Sequence, residues 1–87
     1  MKISPDFAMR EVAGTPIVVP CRAGITDTTL MKLNSTACFL WKILENGCDS
    51  EDKLVSALCE EFEVTPDIAK NDVSAFLDRL RDLGALI

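Results

Sequence analysis

The sequence predicts an α+β architecture, a three-stranded antiparallel sheet followed by a three-helix bundle, on three observations. The first third of the chain carries short runs rich in β-branched and apolar residues, punctuated by Gly14 and Pro20. The stretch Thr28 to Gly47, TTLMKLNSTACFLWKILENG, passes at Asn34 from a β-type run into an almost continuously apolar helix. Beyond it, Asp49-Ser50 and Thr65-Pro66 are two further helix-start signals, each followed by a stripe of apolar residues at helical spacing.

Phe7 to Ala13 reads as the first strand, with Phe7, Met9 and Glu11 on one face and Ala8, Arg10 and Val12 on the other. Gly14-Thr15 suits a tight hairpin turn with glycine first. Ile17, Val18 and Val19 form the second strand, and Pro20 should end it because proline cannot donate to a ladder. Cys21 to Asp27 is a polar connection containing Gly24, and Thr28 to Leu33 is the third strand. Short links favour pairing between sequence neighbours, so the expected sheet is a meander with the third strand on an edge.

Asn34, Ser35 and Thr36 can each cap the first helix with a side-chain oxygen, and Gly47 is placed to close it in the left-handed conformation. Ala37, Leu40, Trp41 and Leu44 follow helical spacing, and Phe39 and Ile43 widen the stripe. The second helix is capped by Asp49 or Ser50, carries Glu51 and Asp52 against its dipole, and turns Leu54, Val55, Leu58 and Phe62 to one face. The third starts at Thr65-Pro66, a capping hydroxyl and a proline at the first helical position. Ala69, Val73, Phe76, Leu77, Leu80 and Leu83 form its stripe, and Gly84 ends it. Ala85-Leu86-Ile87 should pack back on the core, in which Leu40, Trp41, Leu44, Leu58, Phe62, Val73, Phe76, Leu77 and Leu80 should dominate. No linker divides the chain, so residues 1–87 are expected to form one domain.

The length of 87 residues, 48% of them hydrophobic, suits one modest core. The net charge of −5 is uneven: residues 1–33 carry four basic and three acidic side chains, giving +1, and residues 34–87 carry five and eleven, giving −6. That balance disfavours nucleic acid and anionic membrane surfaces as partners. The N-terminal MKISPDFAMREV lacks the apolar run of a signal peptide, and no apolar stretch approaches a membrane span. Cys21, Cys38, Cys48 and Cys59 show no C-x-x-C spacing and the chain has no histidine, so the thiols read as structural and neither a metal nor a cofactor is expected. A reduced, cytoplasmic setting fits them best.

Catalytic constellations are nearly absent. Without histidine, the Ser-His and Cys-His pairs of nucleophilic catalysis cannot be built. The acidic neighbours Glu51-Asp52 and Glu60-Glu61 point about 100° apart on a helix and do not converge on one substrate atom. The four glycines sit apart and make no phosphate loop. The expectation is a protein that is not an enzyme. A winged-helix DNA-binding regulator is an alternative, but the third helix sets Lys70, Arg79 and Arg81 against Asp67, Asp72, Asp78 and Asp82. Such a surface gains little from phosphate contacts and is repelled as much. A structural subunit of an enzyme complex is the other alternative.

Leu33-Asn34-Ser35-Thr36-Ala37 leading to Phe39-Leu40-Trp41 and Leu44-Glu45-Asn46-Gly47 resembles the PqqD family, the small proteins named after pyrroloquinoline quinone biosynthesis protein D. Leu54-Val55, Leu58, Glu60-Glu61-Phe62, Val64, Asp72-Val73, Phe76-Leu77, Leu80 and Gly84-Ala85-Leu86 continue the likeness, as do Ile3-Ser4-Pro5 and Val18-Val19-Pro20. The extra cysteines and the Cys21 to Asp27 connection depart from it. The resemblance implies a winged-helix-like fold and a non-catalytic peptide chaperone. Such a protein binds the leader segment of a ribosomally made precursor peptide and presents it to a modifying enzyme, often of the radical S-adenosylmethionine type.

In that family the leader adds as a strand beside the third strand and packs on the third helix. Carried onto this chain, Thr29, Leu30, Met31, Lys32 and Leu33 supply the edge, and Ala69, Asp72, Val73 and Phe76 the helix wall. The residues themselves supply a fitting scaffold, since an edge strand offers unpaired N–H and C=O groups to an incoming strand. A free edge also invites self-pairing, so a homodimer through the third strand is a further assembly to test.

Overall fold

The computed structural model describes residues 1–21 and 31–87, with Met31 described in its backbone only. Its elements run β1 (Phe7–Val12), β2 (Thr15–Pro20), β3 (Met31–Lys32), α1 (Ser35–Asn46), α2 (Glu51–Phe62) and α3 (Pro66–Leu83). β1 and β2 form an antiparallel hairpin in the register Phe7 opposite Pro20 to Val12 opposite Thr15. The turn falls at Ala13-Gly14, one residue earlier than the expected Gly14-Thr15. Both residues have positive φ, 51° and 81°. Two central residues with positive φ match the twist of the flanking strands, which is why such turns dominate tight hairpins.

The third strand departs most from expectation. Of the run Thr28 to Leu33, residues 28–30 lie outside the described residues, and among the described ones Met31 and Lys32 pair opposite Val18 and Ile17. Among the described residues the sheet thus has two full strands rather than three, with β3 as a two-residue flank on β2. β2 itself offers a third strand few donors. Cys21 N–H donates to the Asp6 carbonyl at 2.7 Å, so odd-numbered residues of β2 turn their backbone groups towards β1 and even-numbered ones towards β3. The even-numbered set is Pro16, Val18 and Pro20. Only Val18 of these has an N–H to give, so β2 keeps its ladder with β1 and has little to offer a third strand.

Each helix begins where its cap predicts. Asn34 Oδ1 accepts from Ala37 N–H at 2.8 Å, Ser50 Oγ from Lys53 N–H at 3.3 Å and Thr65 Oγ1 from Ile68 N–H at 3.4 Å. Gly84 closes α3 in the left-handed conformation, with its N–H directed at the Arg81 and Leu80 carbonyls. Gly47 does not adopt the expected left-handed cap: its φ of 93° and ψ of 145° belong to a region open in practice to glycine. The chain there turns to meet the N-terminal segment instead of folding back on its helix. Cys48 N–H donates to the Met1 carbonyl and the Met1 ammonium to the Cys48 carbonyl, both at 2.8 Å.

The N-terminal segment ties the two ends of the fold together. Ile3 N–H donates to the Leu44 carbonyl at 3.1 Å, Ser4 N–H to the Ala85 carbonyl at 2.7 Å, and Lys2 and Ile87 exchange N–H···O bonds at 2.9 and 2.8 Å. Residues 1–4 thus run between the end of α1 and the strand-like tail after α3. Ala85 is fully buried and Leu86 half-buried, whereas Ile87 is exposed rather than packed on the core.

The core follows the helical stripes: Leu40, Trp41 and Leu44 from α1, Leu54 and Leu58 from α2, and Ala69, Val73, Phe76, Leu77 and Leu80 from α3. Ile3, Val18, Leu33 and Ala85 complete it. Phe62, expected in the core, is half-buried; it meets Phe39 edge to face with ring centroids 5.5 Å apart, an arrangement aromatic quadrupoles favour. Trp41 is 1% exposed, and its indole N–H finds no acceptor among the described residues. All four cysteines are free thiols; Cys38 Sγ lies 3.5 Å from Met9 Sδ, bridging α1 and β1. Among the described residues no helix is long and apolar enough to cross a membrane. Leu44 is wholly buried where α1 meets the N-terminal segment, so Leu44→Ala is expected to cost about 2–5 kcal/mol in urea unfolding, a large share of the stability of so small a fold.

Candidate functional site

β3 passes into α1 within two residues. Lys32 is paired with Ile17, Leu33 is 4% exposed, and Asn34 is already the cap of α1. Leu33 N–H donates to the Pro16 carbonyl at 2.9 Å, which makes Leu33 and Pro16 a hydrogen-bonded pair. In an antiparallel ladder the adjacent pair, Lys32 and Ile17, is then of the opposite kind. The Lys32 N–H and C=O therefore point away from β2, towards the open side of β3. Leu33 anchors the strand while its neighbour leaves a donor and an acceptor available.

A groove of about 160 Å³ opens beside that strand. Lys32, Asn34, Thr36, Ala37 and Leu40 line it from β3 and the first turns of α1. Asp72, Ala75, Phe76 and Arg79 line it from α3. Leu40 and Phe76 are 1% and 5% exposed and form an apolar floor, whereas Lys32, Asn34, Asp72, Ala75 and Arg79 stand at its rim. Asn34 Oδ1 is engaged twice, by Ala37 N–H at 2.8 Å and by the Thr36 hydroxyl at 2.9 Å, so this corner is held rigidly. A second depression, about 400 Å³ and more open, lies where Lys2 to Pro5, Phe7, Glu45 and Ile87 meet. Its walls are the terminal segments, and it does not touch the β3 edge.

Of the residues expected to form the site, Lys32, Asp72 and Phe76 meet in the groove. Leu33, Ala69 and Val73 are buried in the core, the latter two completely, and support the site from behind. Met31 contributes its backbone pairing with Val18, and Thr29 and Leu30 lie outside the described residues. On α3 the groove-facing set is Asp72, Ala75, Phe76 and Arg79, the expected spacing displaced by three residues. Ala69 and Val73 face inward because they belong to the stripe that α3 buries with Leu77 and Leu80. In the sequence Asn34, Thr36, Ala37 and Leu40 read as cap, core and part of the motif that carries the resemblance, and not as site residues. Their nearness to the strand edge was implicit in the two-residue link from Lys32 to Asn34, but which face of α1 flanks the edge depends on how the helix packs.

A family model described as coenzyme PQQ synthesis protein D, PqqD, matches residues 25–86, more than two thirds of the chain. No curated protein sequence matches it. Among solved structures, TbiB1 in complex with the TbiA(beta) leader peptide superposes with a TM-score of 0.75 at 24% identity, over 99% of this chain and 94% of that one. Lasso peptide synthetase B1 complexed with the leader peptide gives 0.72 at 23% identity, over 97% and 93%. These two likenesses concern the fold.

Asn34→Ala should remove the cap that holds this corner, with an expected loss of about 0.5–2 kcal/mol in thermal or denaturant unfolding, and Asn34→Asp should restore most of it. The β3–α1 junction and the span of the family match identify this chain as a member of the PqqD family.

Proposed function

We propose that this protein is a non-catalytic peptide chaperone that binds the leader segment of a ribosomally made precursor peptide and presents it to a modifying enzyme. One observation carries the reading: the outward-facing backbone of Lys32 lies on the rim of the groove between β3 and α3. An extended peptide laid along β3 would exchange main-chain hydrogen bonds with that edge and set alternate side chains onto the floor of Leu40 and Phe76. The same fold holds a leader peptide in TbiB1 and in lasso peptide synthetase B1, which supports the assignment. The short pairing of β3 adds to it, since a strand with little else to pair with retains groups for a guest.

The peptide edge comprises Thr29, Leu30, Met31, Lys32 and Leu33, with Asp72 and Phe76 on the facing wall and Ala69 and Val73 behind it. Residues 1–87 act as one peptide-recognition domain of winged-helix type. The partner enzyme is of the radical S-adenosylmethionine class that the resemblance implies, and the protein itself performs no chemistry on the peptide.

Calorimetric titration with the leader of a co-encoded precursor peptide tests the reading. Lys32→Pro removes the outward N–H and crowds the edge. One main-chain hydrogen bond is worth about 0.5–1.5 kcal/mol and the clash adds to it, so a loss of at least about tenfold in affinity is expected. Lys32→Ala, which keeps the backbone donor, should lose less. Unchanged affinity in Lys32→Pro, with its circular dichroism intact, would exclude strand addition at this edge.

A further inference from the structure

We infer that the groove selects peptides by charge, favouring an extended segment in which an aspartate or glutamate stands next to an apolar residue. The inference rests on the leader-binding reading and adds the chemistry of what is bound. Two cations, Lys32 from β3 and Arg79 from α3, line the groove against one anion, Asp72. This local excess is opposite in sign to the chain, which carries −5 overall and −6 over residues 34–87.

Among the described residues Lys53 pairs with Asp49 at 3.1 Å and Arg81 with Asp78 at 3.2 Å. Lys32 and Arg79 make no such ion pair among the described residues. Asp72 precedes Arg79 by seven residues on α3, and among the described residues the two make no ion pair. The groove thus presents a cation from β3 and a cation from α3, neither in an ion pair among the described residues, above an apolar floor.

A peptide strand in this groove would turn alternate side chains the same way, so an apolar side chain on the floor and a carboxylate at the rim fit adjacent positions of one extended chain. The carboxylate would be shared by the ammonium of Lys32 and the planar donor fork of Arg79, which suits carboxylate geometry. With the peptide in place, part of the surrounding water is excluded and the pairing gains strength over an exposed surface pair. The net charge of −6 over residues 34–87 repels acidic peptides from the rest of the helical surface, which sharpens the selection by position.

A displayed library of random peptides, panned against the intact protein at low and at high salt, tests this. The captured peptides should be enriched in Asp or Glu beside an apolar residue, and high salt should erode the enrichment. The double variant K32E/R79E should exchange that preference for Lys or Arg, and K32Q/R79Q should lose the bias. Individual peptides carrying Asp→Asn or Glu→Gln should bind about tenfold more weakly, as expected for one charge-assisted contact. All four groups changed are exposed or on the peptide, and circular dichroism of both variants checks the fold. Capture of peptides without charge bias, unchanged between the native protein and K32E/R79E, would overturn the charge inference and leave peptide binding standing. Capture of no peptide at all would overturn both.

Discussion

The junction at Leu33-Asn34 is the constraint on which the rest of this molecule depends. Leu33 is pinned twice, by burial of its side chain and by its N–H bond to the Pro16 carbonyl. The next residue starts α1 through a side-chain oxygen that satisfies two donors. With no slack between sheet and helix, the direction of β3 fixes the first turns of α1, and Leu40 is carried to the floor beside the strand. A longer link would let the edge and the floor move independently, and no groove of fixed shape would result.

The prolines of β2 act on the same region from the other side. Placed at alternate positions whose backbone groups face β3, Pro16 and Pro20 withhold the donors that a long third strand would need. The ladder to β1 is untouched because its donors come from the intervening residues. Proline thus discriminates between the two edges of one strand: one side is a stable hairpin, the other a sparse platform suited to exchange of partners. The fold keeps its rigidity in the helices and leaves outward-facing main chain at Lys32, supported by the junction behind it.

Opposite the groove, the terminal segments hold α1 and α3 in register. Residues 1–4 bond to the end of α1 on one side and to residues 85–87 on the other, so the two groove-bearing helices are cross-braced by main chain as well as by side-chain packing. Main-chain bonds tolerate sequence change, because each residue but proline supplies the same donor and acceptor. The groove side chains can accordingly vary in charge and size without loosening the frame. In a chain of net −5, the two cations Lys32 and Arg79 lining one groove against the single anion Asp72 give that groove a local charge opposite to the chain's.

What the sequence determined by itself was local and periodic. Caps at Asn34, Ser50 and Thr65, the stop at Gly84 and the buried stripes of three helices all depend on groups within a few residues of one another, and each stands where those signals place it. The resemblance that the same residues carry also implied a site between β3 and α3, the region where a groove opens. Tertiary structure decided what depends on distant partners. How few donors β2 offers a third strand depends on which of its residues face β3, and that facing puts Pro16 and Pro20 there. The departure of Gly47 from a left-handed cap followed from bonds between Cys48 and Met1, far apart in sequence. The face of α3 that borders the groove was decided by which stripe the core buries: that burial took Ala69 and Val73 inward and left Ala75 and Arg79 at the rim. Helical spacing names the residues that share a face, but only the packing of the neighbouring elements says which of two adjoining faces meets solvent.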